Sequence, residues 1–284
     1  MNYKIVSDSS SDIFALDSVA YQAVRLKVIT DEKEFVDTKD LNVSEMTDYL
    51  KKYKGTSKSS CPNMEDYKDS FDLCDGIFCV TITKNLSGSY NSALLAVEDY
   101  VEEHPDVKAY VVDTLTAGPE LALLVKKLEE LIAEGLEFEE IKEKIDEYKN
   151  TTHLLFCLES MRNFANNGRI SHATAKMAGL LGIRAIGKAS IEGTLEMVSK
   201  VRGGDKSVEE IVSQMKAHGY CGGRARIHHC QGEASALAVK ERILSEYPEA
   251  DVVISTTGAL CSFYAEPGGF LVGYEGAKNM KSEE

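Results

Sequence analysis

Three clusters of hydroxyl side chains are the part of this sequence that could bind a ligand. They cover residues 7–12 (SDSSSD), 56–62 (TSKSSCP) and 85–92 (NLSGSYNS). In the third cluster, Ser87, Gly88 and Ser89 precede a helical pattern, and a helix start offers free backbone N–H groups and the positive end of the helix dipole. Each cluster taken singly is more typical of helix capping. Three clusters in one half of the chain, with a glycine that lets a ligand approach the backbone, favour a site for an anionic head group.

Other chemistry has weaker support in the sequence. Neither a dinucleotide loop (G-x-G-x-x-G) nor a P-loop (G-x-x-x-x-G-K-[ST]) is present, and no G-x-S-x-G elbow occurs. Cys221, His228, His229 and Cys230 suggest zinc, but successive strand residues point to opposite faces, so the two histidines could not both ligate from a regular strand. We therefore interpret them as strand histidines that face the core or solvent and expect no metal.

Aspartates offer an enzymatic alternative. Asp8, Asp12 and Asp113 each follow a strand-like run and could form an acidic pocket around a metal or a phosphate. A stand-alone phosphotransfer or hydrolytic enzyme therefore remains an alternative, although the sequence has no recognisable pairing of a nucleophile with a base.

Composition excludes several classes of partner. The chain has 284 residues, and 46 acidic against 32 basic residues give a formal charge of −14. Nucleic-acid binding needs a basic face, and a negative field disfavours anionic membranes, so we expect neither partner. No stretch reaches the roughly 18 uncharged apolar residues of a membrane span, and we expect no stable membrane insertion. The start has no apolar signal core, and seven scattered cysteines fit a reducing compartment, so the predicted location is cytoplasmic.

Strand-like runs alternate with amphipathic helical patterns, which predicts an α/β protein with parallel strands. The sequence style changes near Thr151, and we predict an N-terminal α/β domain over residues 1–152 and a C-terminal α/β domain over residues 153–284. Glu192-Gly193 fits a hairpin turn in the second domain. The predicted strands are Lys4–Ser7, Ala23–Ile29, Gly76–Ile82, Lys108–Asp113, Leu154–Leu158, Arg184–Ser190, Leu195–Lys200, Ala225–His229 and Val252–Ser255.

The order of these motifs resembles the DegV family of bacterial fatty-acid-binding proteins. The matching stretches run through essentially the whole chain: residues 7–12 (SDSSSD), 56–57 (TS), 86–93 (LSGSYNSA), 167–171 (NGRIS), 200–203 (KVRG) and 257–259 (TGA), leading to 267–268 (PG). The resemblance implies an N-terminal Rossmann-like parallel sheet, a smaller C-terminal α/β domain, and one long-chain fatty acid between them. It also implies a carrier for phospholipid metabolism that is not itself an enzyme and needs no cofactor.

The resemblance also assigns roles to residues. It implies that a separate fatty-acid kinase phosphorylates the bound carboxylate and that the carrier takes away the acyl phosphate. Thr56 or Ser57, together with Ser87 and its neighbours Gly88 and Ser89, would bind the carboxylate. Arg169 and Arg202 would lie near the kinase-docking surface and the ligand mouth.

One stretch departs from the family pattern. Tyr264 stands where the family usually carries a histidine that meets the carboxylate, and Glu266 stands where a glycine is usual. A phenol donates one hydrogen bond but brings no positive charge near neutral pH. Either the head group binds less tightly, or the ligand is a smaller polar metabolite that the protein senses, or Tyr264 is a packed loop aromatic. A long apolar tunnel would favour the lipid, and a short polar pocket the sensor.

Overall fold

The computed structural model of the protein describes residues 2–72, 74–176 and 182–278. The strands are β1 (Tyr3–Asp8), β2 (Ala20–Val24), β3 (Lys27–Ile29), β4 (Glu34–Val36), β5 (Lys58–Ser60), β6 (Gly76–Thr81), β7 (Lys108–Asp113), β8 (Thr152–Leu158), β9 (Ile183–Ala189), β10 (Leu195–Arg202), β11 (Ala225–His229), β12 (Val252–Thr256) and β13 (Phe270–Glu275). The α-helices are α1 (Val43–Lys52), α2 (Met64–Lys68), α3 (Ser89–Glu103), α4 (Pro119–Ala133), α5 (Phe138–Lys149), α6 (Arg162–Asn166), α7 (His172–Ala175), α8 (Gly204–Ala217), α9 (Glu233–Glu246) and α10 (Ala259–Ala265). No helix in the described ranges has the length and apolarity that a membrane crossing requires.

The first sheet is parallel, with the strand order β2-β1-β6-β7. Its central strands β1 and β6 are buried along their whole length because helices cover both faces. Helices α2 and α3 pack on one face, and α4 and α5 pack on the other. The predicted Rossmann-like parallel sheet is confirmed, and the carboxyl ends of β1, β6 and β7 lie along one edge.

The predicted strand Ala23–Ile29 is wrong as a single element. Its residues form β2 of the parallel sheet and β3 of a small antiparallel sheet with the order β4-β3-β5. The chain leaves the first sheet at Leu26, whose backbone N–H donates to the Ser9 hydroxyl (3.0 Å) and whose carbonyl accepts from Asp37 N–H (2.9 Å). Strand β5, which the sequence did not predict, brings part of the second hydroxyl cluster beside α10.

The third sheet has six strands in the order β10-β9-β8-β13-β11-β12. In this sheet β11 and β12 pair in parallel and the other pairs are antiparallel. The antiparallel β9–β10 pair agrees with the predicted hairpin, whereas the general prediction of parallel strands is wrong for the other antiparallel pairs. The unpredicted strand β13 separates β8 from β11. Helices α8 and α9 cover one face, and the central apolar helix α4 contacts β8, β11 and β13.

Two features join the halves of the chain. The six-stranded sheet begins at Thr152 with β8, but α10, which lies later in the chain, contacts α1 and β3 of the first half.

The predicted Glu192-Gly193 turn is present, and Gly193 has φ +76°. A Cβ on Gly193 would lie 2.8 Å from the Leu115 Cα, so this turn rests directly on the loop after β7. The division into domains 1–152 and 153–284 stays a prediction.

Candidate functional site

A cavity of about 280 Å³ lies where α10, β8, β13 and the loop after β6 meet. Most of its wall is aliphatic or aromatic, and a smaller group of hydroxyls and one guanidinium lies among these side chains. The lining residues are Leu26, Ser59, Ser60, Cys61, Ile82, Leu86, Ser87, Gly88, Ala117, Leu154, Phe156, Leu158, Phe164, Arg169, Leu195, Leu260, Cys261, Tyr264, Ala265 and Leu271. Both halves of the chain contribute, and the composition suits a ligand with a long apolar part and a small polar part.

Strand β8 supplies one apolar wall through its alternation. Leu154, Phe156 and Leu158 face the cavity, whereas Leu155 and Cys157 point to the core under α8 and α9. A continuous apolar run predicts a strand that is buried on both faces, but it cannot show that one of these faces borders a cavity. The apolar wall was therefore missed at the sequence level.

The start of α3 places Ser87 and Gly88 in the lining, as predicted. Ser87 N–H donates to the Thr83 carbonyl (3.3 Å), and the Ser87 hydroxyl oxygen accepts from Ser89 N–H (3.3 Å). Gly88 leaves little room for a side chain, because a Cβ there would lie 3.1 Å from the Cys61 sulfur. The arrangement exposes hydroxyl and backbone groups at a helix start, which is the environment predicted for an anionic group.

Ser89 has a different position from the predicted one. It is fully buried and outside the cavity lining, and its hydroxyl donates to Asp8 Oδ2 (2.7 Å) and lies 2.7 Å from the Tyr67 hydroxyl. Ser89 therefore anchors the start of α3 to β1 rather than facing the cavity.

The second hydroxyl cluster reaches the cavity through Ser59, Ser60 and Cys61 instead of Thr56 and Ser57. Thr56 is exposed, and Ser57 contributes its carbonyl, which accepts from Asn167 Nδ2 (3.3 Å). Strand β5 begins at Lys58, and its pairing determines which hydroxyl faces the cavity. No feature of the sequence alone identified this short strand.

Tyr264 and Ser59 form a polar pair in the cavity wall. Their hydroxyl oxygens are 2.6 Å apart, and the Tyr264 ring stacks on Phe164 with 4.5 Å between ring centroids. Burial raises the pKa of the Tyr264 phenol, opposed by the Ser59 bond and by the charge of Arg169, so this phenol is a protonated donor at neutral pH. Glu266 lies outside the lining and is engaged elsewhere: it accepts from the Ser160 hydroxyl (2.8 Å).

The two arginines singled out in the sequence are not together. Arg169 lines the cavity, and its Nε donates to the Leu86 carbonyl (3.2 Å) while one terminal N–H donates to the Asn167 carbonyl (2.5 Å). These bonds hold the guanidinium beside the loop that carries Ser87. Arg202 is exposed at the end of β10, outside the lining.

The aspartates do not line the cavity. Asp8 is fully buried and accepts from Ser10 and Ser89 hydroxyls and from Ile82 N–H; burial raises the pKa of Asp8, and these bonds oppose the shift. Asp113, the last residue of β7, accepts from Lys84 N–H in the loop after β6 and from Leu115 N–H in the loop after β7 (both 3.2 Å). The hydrogen bonds of these two carboxylates thus serve the local structure.

His228 and His229 are separated as their strand positions predict. His228 Nδ1 lies 2.8 Å from Asp12 Oδ2, whereas His229 lines a separate open groove along β12 and α9. Within residues 2–72, 74–176 and 182–278, no group of three or more histidine, cysteine or acidic side chains is placed to hold a metal.

Comparison with known proteins gives a consistent picture. Residues 2–276 match the family model described as an uncharacterised protein of the DegV family. A DegV domain-containing protein of Streptococcus pneumoniae is 43% identical over 279 residues, which cover 97% of this chain and 99% of that protein.

Two solved structures share the fold. A DegV family protein from Eubacterium eligens, loaded with heptadecanoic acid, superposes with a TM-score of 0.95 at 40% identity, covering 97% of this chain and all of that one. The Fatty Acid Kinase (Fak) B3 protein of Streptococcus pneumoniae, loaded with linoleic acid, gives 0.95 at 43% identity, covering 98% of this chain and all of that one.

Proposed function

Because the chain belongs to the DegV family, we propose that it binds a long-chain fatty acid in the cavity and presents the carboxylate to a separate fatty-acid kinase. The observation that carries this proposal is the composition of the cavity wall. Aliphatic and aromatic side chains from both halves surround a space whose polar side-chain groups are serine and tyrosine hydroxyls, the thiols of Cys61 and Cys261, and the Arg169 guanidinium.

The acyl chain supplies the driving force. Burying about 15 methylenes contributes on the order of 12 kcal/mol at ~0.8 kcal/mol per CH₂. Lost translational freedom and chain ordering offset several kcal/mol of that gain. A small polar metabolite would gain little from walls such as Leu154, Phe156 and Leu271, so the lining favours the lipid over the sensor alternative.

The carboxylate needs hydrogen-bond donors, because a buried carboxylate without them would take up a proton. We assign this role to the hydroxyls of Ser87, Ser59 and Tyr264, with Gly88 allowing close approach to the start of α3. Hydrogen bonds to a charged group contribute about twice as much as neutral ones. Arg169 adds a positive charge beside these hydroxyls, and its bonds to Leu86 and Asn167 carbonyls keep it at the side of the cavity.

We further propose that the kinase phosphorylates the bound carboxylate and that this chain carries away the acyl phosphate. Hydroxyl donors leave a carboxylate oxygen accessible to a phosphoryl donor, whereas a bidentate arginine contact would occupy both carboxylate oxygens. We assign Arg169, in the cavity wall, to the ligand mouth and the exposed Arg202, at the end of β10, to the contact with the kinase, and we assign no catalysis to this chain. All seven cysteines are free, which fits a cytoplasmic carrier.

Mass spectrometry tests the ligand directly. We expect an organic extract of the purified protein to contain one long-chain fatty acid per chain, and the lipid-free protein to bind hexadecanoic acid. Ala117→Phe fills part of the cavity and should abolish binding, whereas Ala217→Phe, at an exposed site near the end of α8, should leave it unchanged. Absence of both extracted lipid and binding of added C14–C18 acids refutes the proposal.

A second assay tests the kinase role. With ATP and a fatty-acid kinase, acyl phosphate should form only when the loaded protein is present. Formation of acyl phosphate by this chain without the kinase would show that it is an enzyme and would refute the carrier assignment.

A further inference from the structure

Helix α10 brings four residues into the cavity wall: Leu260, Cys261, Tyr264 and Ala265. It follows β12 late in the chain, yet it contacts α1 and β3 of the first half. The position of the Tyr264 hydroxyl, and therefore the polar part of the cavity, depends on how α10 is fixed.

Two carboxylates from the first half hold the first turn of α10. Gly258 N–H donates to Asp12 Oδ1 (2.7 Å), Ala259 N–H donates to Asp37 Oδ1 (2.6 Å), and Leu260 N–H donates to Asp37 Oδ2 (3.2 Å). Three successive backbone donors thus meet two side chains that are distant in sequence. We name Asp12 and Asp37 the α10 clamp.

The clamp is itself fixed on both sides. Asp37 is fully buried and accepts from the Ser9 hydroxyl (3.0 Å), and Asp12 has a left-handed backbone with φ 57°. Asp12 Oδ2 lies 2.8 Å from Nδ1 of His228, a residue of β11 in the six-stranded sheet. The clamp therefore connects α10 to the first half and to the other sheet at once.

Space at the clamp is restricted. A Cβ on Gly258 would lie 2.7 Å from Asp37 Oδ1 and 3.0 Å from Asp12 Oδ1. Both carboxylates consequently approach the same backbone position, and burial together with the charge of Asp12 raises the pKa of Asp37 to about 7. An ordinary N-cap needs one serine or aspartate, so two buried carboxylates at one short helix exceed what capping alone requires.

We propose that Asp12 and Asp37 are positioning residues of the lipid site, which fix α10 so that the Tyr264 hydroxyl stays beside Ser59 and the acyl chain is retained. This inference rests on the proposed function. It predicts that loosening the clamp weakens ligand binding although no side chain of the cavity lining is replaced, because neither aspartate is in the lining.

Glu129 offers a matched control. Its Oε1 accepts from Asp17 N–H (2.8 Å), Ser18 N–H (3.0 Å) and the Ser18 hydroxyl (3.1 Å), the same set of two amides and one serine hydroxyl that Asp37 accepts from. It lies on α4 and does not line the cavity. Glu129→Gln therefore removes a carboxylate with the same set of donors, and with it an ion pair to Lys126 (2.9 Å), from a segment that does not carry the site.

The experiment compares Asp37→Asn and Glu129→Gln by hydrogen exchange and by titration with hexadecanoic acid. For Asp37→Asn we expect exchange in the α10 peptide to accelerate about tenfold or more, and the Kd for hexadecanoic acid to rise about tenfold or more. For Glu129→Gln we expect faster exchange at residues 17–18 and a Kd within twofold of the unchanged protein. Gly258→Ala, which crowds both carboxylates without removing them, should act like Asp37→Asn and replaces it if that variant does not fold.

The outcomes separate the two proposals. Unchanged exchange in α10, or faster exchange with an unchanged Kd, overturns the clamp as a positioning device. An equal rise of Kd in Glu129→Gln also overturns it, since the effect is then one of general stability. Failure of the unchanged protein to bind hexadecanoic acid overturns the proposed function instead, and with it the role of the clamp in lipid retention.

Discussion

Replacing Tyr264 with phenylalanine tests the head-group assignment with the smallest change. The substitution keeps the ring that stacks on Phe164 and meets Phe263 at 5.0 Å between centroids, and it removes only the hydroxyl that lies 2.6 Å from Ser59 Oγ. A lost hydrogen bond to a charged group costs about 1.5–3 kcal/mol. That range corresponds to a Kd for hexadecanoic acid raised about 10- to 150-fold.

Isothermal titration calorimetry of lipid-free protein at pH 7.5 measures this effect, and denaturant unfolding measures stability in parallel. Because Tyr264 is only half-buried, we expect the free energy of unfolding to fall by no more than about 1 kcal/mol. Tyr220→Phe is the matched control, since the Tyr220 hydroxyl donates to the Gly223 carbonyl (2.9 Å) outside the cavity lining. A Kd for Tyr264→Phe within twofold of the unchanged protein would refute the assignment and leave Tyr264 as a packed aromatic.

Three further changes have definite expected results. Ser87→Ala should weaken hexadecanoic acid binding by about 1–3 kcal/mol, while Ser255→Ala on the exposed part of β12 should not; equal affinities for both would remove Ser87 from the site. The pKa of Asp37 is about 7 in the folded chain and near 4 in the unfolded chain, so the folded chain binds the extra proton between these values. As pH rises from 4 to 7.5, the free energy of unfolding of the protein with Asp37 should therefore fall by up to about 4 kcal/mol more than that of Asp37→Asn. If urea titrations show the same pH dependence of stability for both proteins, the raised pKa of Asp37 is contradicted. Gly193→Ala should destabilise the fold more than Gly135→Ala, because both glycines have positive φ but only a Cβ at Gly193 meets other residues; equal losses in denaturant unfolding would show that the Gly193 turn does not bear on the loop after β7.

The sequence placed Ser87 and Gly88 between a buried strand and the start of a helix, and both residues line the cavity. These positions could be predicted because local sequence patterns indicate both the end of β6 and the start of α3. Thr56 or Ser57 was assigned through the family resemblance, and Ser59 was not singled out because a three-residue strand such as β5 leaves no periodic signal. Its inward residue is set by pairing with β3, with Ser59 opposite Val28.

The contribution of the last third of the chain was harder to predict. Tyr264 was identified only through the family resemblance, and Leu271 lies on β13, a strand the sequence did not indicate. From the sequence, Asp12 was a candidate for an acidic pocket and Asp37 was not singled out. Their role was hidden because their partners at residues 258–260 are more than 200 positions away. Long-range contacts of this kind depend on tertiary packing, which local propensity does not contain.

The late position of α10 and β13 has a consequence for biosynthesis. Leu26 and Ile82 are synthesised early, whereas Leu260 and Leu271, which share the cavity wall with them, are synthesised much later. Until then the carboxyl edge of the parallel sheet lacks its cover, and a partly made chain presents apolar surface of the kind that chaperones recognise. Nascent molecules should therefore depend on such protection until residues 259–275 have been made, and a premature stop shortly before residue 259 should yield aggregates.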